Sequence, residues 1–119
     1  MASNDDTSWH MRAEIALLAA LRAGQAITYE GLATAAEIPA PHRIHKLTLW
    51  LEASMAEDVA AGRPLRAAIV ISRRYDRPAE GFFDMAISLG LIDAGTPQET
   101  QWQWYQTQRD HACNTYCGQ

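Results

Sequence analysis

Apolar positions along the chain fall into helical stripes broken by glycine and proline. After Ser8, an N-cap residue type, an alanine-rich run carries Trp9, Ile15, Leu18 and Leu21 and stops at Gly24, which predicts a helix over 8–23 behind a loose tail of residues 1–7. Gln25 to Tyr29 is short and extended, with Ile27 pointing inward. Thr28 then caps a helix over Tyr29–Ala36, whose Leu32 and Ala36 lie one turn apart. Two prolines in Glu37-Ile38-Pro39-Ala40-Pro41 end it. Pro41 is the expected first residue of the next helix, where Ile44, Leu47, Leu51, Met55 and Val59 repeat at three and four up to Gly62.

The pattern then changes. Leu65 to Ser72 is rich in β-branched residues and reads as a strand. Arg73 to Pro78 reads as a loop tip, and Ala79 to Phe83 either pairs back on the strand or opens a helix through Phe82, Met85, Ala86 and Leu89 to Gly90. Thr96-Pro97-Gln98-Glu99 has the form of a capping box with proline at the first helical position, which predicts a helix over 97–116. Trp102, Tyr105, Arg109, Ala112 and Tyr116 share one of its faces. Trp104 lies roughly 200° from Trp102, so one tryptophan is expected in the core and the other at solvent or a partner subunit.

These elements predict one domain, mainly α with a small β-hairpin (α+β). The expected arrangement is a winged helix-turn-helix over 8–92 with an added helix over 96–117, packed on the domain or on a partner subunit. With 119 residues and 48% hydrophobic content the chain supports a single core. No apolar run is long enough to span a membrane. The polar, acidic start lacks the order of a secretion signal, so a cytoplasmic location is expected.

Charge sharpens the picture. The net charge is −4, which by itself disfavours nucleic acid, but it is unevenly spread. Between Pro41 and Arg77 the balance is +3, leaving −7 elsewhere. In a winged helix-turn-helix the second helix of the pair enters the major groove and the wing lies on the backbone. That design needs basic and hydrogen-bonding side chains at the start of the second helix and on the wing tip. His42, Arg43, His45 and Lys46 stand at the first place, and Arg73, Arg74 and Arg77 at the second. The expectation is binding to double-stranded DNA, as a small bacterial transcriptional regulator or a mobile-element accessory factor. The aromatics Trp102, Trp104 and Tyr105 would form a homodimer interface.

The segment Gly24-Gln25-Ala26-Ile27-Thr28-Tyr29-Glu30-Gly31-Leu32-Ala33 resembles the start of the helix-turn-helix in the DNA alkyltransferases and alkyltransferase-like proteins, which read roughly G-x-V-x-T-Y-G-x-L-A. The resemblance runs over about 24–89 and is sharp over ten residues. It implies DNA-facing roles for Thr28 and Tyr29, and it puts Arg43 where the family has the arginine that fills the space of a flipped base. The family's nucleophilic cysteine has no counterpart in Pro64-Leu65-Arg66-Ala67-Ala68-Ile69-Val70, so the resemblance implies DNA binding and no alkyl transfer. The run from Gly62 to Phe83 is also similar to a group of small uncharacterised bacterial proteins, which lends no activity.

Other chemistry finds little support. No nucleophile elbow, phosphate loop or paired Cys-x-x-Cys motif occurs, and no enzymatic activity and no cofactor are expected. His111, Cys113 and Cys117 lack a fourth zinc ligand, so the cysteines read as terminal thiols and no metal is expected. The competing expectation is a protein-interaction module or inhibitor, with the helix-turn-helix serving only as a scaffold.

Overall fold

The computed structural model describes residues 2–74 and 77–117, with side chains from Ser8 onward; Tyr75 and Asp76 of the expected loop tip lie outside them. Helix α1 spans Ala2–Ala23, and strand β1 is Ile27–Thr28. Helix α2 spans Tyr29–Ala36, and α3 spans Arg43–Ala61. A 3-10 helix at Arg66–Ile69 leads into strand β2, Val70–Ile71. Helices α4, Glu80–Ser88, and α5, Gln98–Tyr116, complete the chain. The fold is mainly helical with a small two-stranded sheet.

Local chemistry explains most boundaries. Thr28 is the N-cap of α2, its hydroxyl accepting from the Gly31 N–H at 2.9 Å. Gly62 and Gly90 adopt left-handed backbone after α3 and α4, a conformation that costs glycine little. Helix α1 starts at Ala2, not after a loose tail, because neither glycine nor proline interrupts residues 2–8. Helix α3 starts two residues after Pro41, because His42 has φ 62°, outside right-handed helix geometry.

Two expectations need correction. There is no hairpin between 65–72 and 79–83. Strand β2 runs parallel to β1, with Ile27 opposite Val70 and Thr28 opposite Ile71, and Ala79 opens α4. Most of the expected strand is a buried 3-10 turn, curled by Arg66, whose backbone and side chain both bind Asp58. Nor does the capping box form. Pro97 holds the cap position of α5 without a side-chain cap bond, and the Thr96 carbonyl accepts from the Gln101 amide at 3.2 Å.

The core gathers around the 3-10 turn, against which α1, α3 and α5 all pack. Helix α1 contributes Trp9, Ala13, Leu17 and Leu21, while Ile15 is 63% exposed. Helix α3 contributes Leu47, Leu51 and Met55, while Ile44 and Val59 at the ends of its stripe are exposed. Helix α5 folds back on its own domain. Tyr105 is fully buried, with its hydroxyl donating to the Ala68 carbonyl at 2.7 Å. No helix among the described residues is long and apolar enough to cross a membrane.

Candidate nucleic-acid interface

The short helix α2 and the start of α3 pack on each other, joined by the turn 37–42. Between them lies an open groove of about 510 Å³, lined by His42, Arg43, Ile44 and His45 on one side and Glu30 and Thr34 on the other. The left-handed turn residues Glu37 and His42 bend the chain back so that α3 packs on α2.

The basic side chains at this turn are partly committed to holding it. The Arg43 Nε donates to the Ile38 carbonyl at 2.9 Å and the Lys46 ammonium to the Pro39 carbonyl at 2.8 Å. A guanidinium has five N–H donors and an ammonium three, so each keeps donors for an external acceptor. His42 and His45 are exposed, and the first turn of α3 contains no acid.

The second expected cluster sits on the loop between β2 and α4. Arg73, Arg74 and Arg77 are exposed. The Ser72 N–H donates to the Arg77 carbonyl at 2.7 Å and closes the loop without a β-ladder. The Arg77 guanidinium lies over the Trp102 ring, 4.9 Å from its centroid. The pairing of Ile71 with Thr28 puts the base of this loop at the N-terminal end of α2, whereas α3 starts beyond the other end. The two clusters therefore bracket α2, about 12 Å long at 1.5 Å per residue.

Several expected site residues turn out to be structural. Thr28 spends its hydroxyl on the cap. Tyr29 is buried, and its hydroxyl accepts from the Ala79 N–H at 2.9 Å, tying α2 to the start of α4. Burial pushes the Tyr29 phenol above its ordinary pKa; the Ala79 hydrogen bond partly opposes this and the charge of Glu52 adds to it. Tyr105 is core, not interface. Trp102 and Trp104 are both half-buried on their own domain, against Tyr105 and Phe82 respectively, so neither is fully enclosed in the core and each keeps part of its ring exposed. Tyr105 lies between them around the helix and draws both inward. Cys113 is likewise partly buried against the core, which raises its thiol pKa.

The basic surplus shrinks most at Arg63 and Arg66. Asp58 is fully buried and accepts from the Arg66 backbone N–H and from the Nε of both arginines, each at 3.0 Å. Arg66 also pairs with Glu14 and Glu57. Desolvation alone would lower the Arg66 pKa, but the bonds and charges of Asp58 and Glu14 outweigh it and raise the pKa. Both arginines are thus anchored in an ion network. The signal for it was present: Asp58 follows Met55 by three and Leu51 by seven, on the buried face of α3, where an acid demands a partner.

Comparison with known protein families, curated proteins and solved structures yields no significant match.

Proposed function

We propose that the chain is a DNA-binding module of helix-turn-helix type, in which the start of α3 meets the major groove and the loop between β2 and α4, in place of a hairpin wing, meets phosphates. The observation that carries this reading is the acid-free first turn of α3, which presents His42, Arg43 and His45 at the mouth of the α2–α3 groove. In this reading Arg43 and the histidines face base edges, while Arg73 and Arg74 neutralise backbone charge. The likeness of residues 24–33 to the alkyltransferase-like proteins fits the same role. It gives no chemistry, because the segment Pro64 to Val70 holds no cysteine.

The test is fluorescence anisotropy with duplex DNA over a range of salt. Binding should weaken as salt rises, and Arg73→Ala with Arg74→Ala should lower the log–log slope by about 2 and weaken all sequences alike. Arg43→Ala should change sequence preference. Absence of duplex binding at low salt defeats the proposal.

A protein-interaction module is the second reading, favoured by one specific observation. Met11 and Ile15, one turn apart on the outer face of α1, are 73% and 63% exposed. Replacing both with glutamate should leave DNA affinity nearly unchanged under the first reading.

A further inference from the structure

A cleft of about 600 Å³ opens between the loop after β2, helix α4 and the first turns of α5. That volume lies in the range that accepts small organic molecules. The cleft shares no lining residue with the α2–α3 groove, so it is a separate site.

Its lining is chemically uneven. Trp102, Phe83 and Ile87 supply aromatic and apolar surface. The Trp102 ring is backed by Tyr105, stacked at 5.4 Å, which fixes it as a platform. Glu80 and Asp84 stand one turn apart on α4, both exposed, and neither makes a salt bridge within 4.0 Å to a described residue. Gln101 donates its amide N–H to the Thr96 carbonyl and keeps its side-chain oxygen as an acceptor.

Charge selects the ligand class. The lining carries two carboxylates against one guanidinium, and that guanidinium already lies on the indole. An anion entering the cleft must face both carboxylates. A flat cation gains those carboxylates together with the indole face, whose quadrupole attracts positive charge. The Arg77 contact shows that the ring face accommodates a planar cation.

We propose that this cleft is a binding site for a small planar organic cation of amidinium or guanidinium type. The ligand takes the Trp102 face from Arg77 and pairs with Glu80 and Asp84. Because the Ser72 N–H holds the Arg77 carbonyl, occupancy is felt directly by the loop that carries Arg73 and Arg74.

The experiment is an NMR titration of the full chain with benzamidine, and with benzoate as an anion of the same shape. Benzamidine should shift the Trp102 indole N–H and the Ile87 methyl resonances saturably, and benzoate should not. Arg77→Ala removes the competing cation and should tighten benzamidine binding roughly twofold to fivefold. Glu80→Gln with Asp84→Asn should weaken it by about fivefold. All three side chains are exposed, so the fold is kept. The proposal is overturned if benzamidine produces no saturable shift, if benzoate binds as well, or if Arg77→Ala weakens the cation.

Discussion

Asp58 shows how much a single residue decides here. Its carboxylate is fully buried yet satisfied on both oxygens, and it ties the end of α3 to the 3-10 turn on which three helices pack. Asp58→Ala leaves Arg66 enclosed without its main counter-charge and should cost about 3–5 kcal/mol. Arg63→Ala removes a half-exposed partner and should cost less than about 1 kcal/mol. Urea midpoints of the two variants check the contrast. Equal losses would mean that Asp58 is not the hub. Tyr29 gives a different signature. Its phenol pKa is raised in the folded chain, chiefly by burial, so the folded state holds the proton more tightly than the unfolded one. The associated stability is complete below about pH 10 and is lost as pH climbs through the raised value. Tyr29→Phe should remove that alkaline loss while costing about 1 kcal/mol at neutral pH, because the Ala79 N–H loses its acceptor. Thermal midpoints of both proteins from neutral to alkaline pH decide it.

Elements were legible where local chemistry sets them. The α2 boundaries follow from Thr28 and the prolines, and those of α4 from its apolar spacing and Gly90. The parallel strand pair was not legible, because the partner of Val70-Ile71 lies some forty residues upstream and only tertiary packing sets that register. The Ile69-Val70-Ile71 run has strand composition, but Arg66 bound to Asp58 curls the chain before it. The same tension applies at α5. Thr96 to Glu99 matches a capping box in sequence, yet the helix begins after Pro97 and Thr96 makes no side-chain cap bond. Thr96→Ala should therefore change stability by less than about 0.5 kcal/mol, against roughly 1 kcal/mol for a working cap. Tyr105→Ala should cost about 3–5 kcal/mol, since it opens a cavity between α5 and the 3-10 turn and strands the Ala68 carbonyl. Chemical denaturation of the two variants separates an anchored helix from a capped one. For the same reason a chain ending at Gly95 should lose its native fold.

At the scale of the whole molecule, the question is how many positive charges can reach a polyanion. Seven lie between Pro41 and Arg77 in the sequence, and the fold withdraws Arg63 and Arg66 into the Asp58 network. Five remain: Arg43, Lys46, Arg73, Arg74 and Arg77, on a chain of net charge −4. Each neutralised phosphate contributes about 0.9 to the slope of log affinity against log salt, so these five should together give a slope no steeper than about −4.5 per protomer. Arg63→Ala should leave that slope unchanged, because its guanidinium already faces Asp58. A steeper slope would mean that the ion network opens on DNA. Assembly enters through the same measurement. The C-terminal tryptophans are accommodated within their own domain, so α5 supplies no buried-aromatic argument for a homodimer. A two-fold dimer binding with both faces would double the limit to about −9. Light scattering of the intact protein beside the salt titration distinguishes the cases: a monomeric mass goes with a slope within about −4.5, the limit set by five charges, and a dimeric mass with a slope up to about twice that.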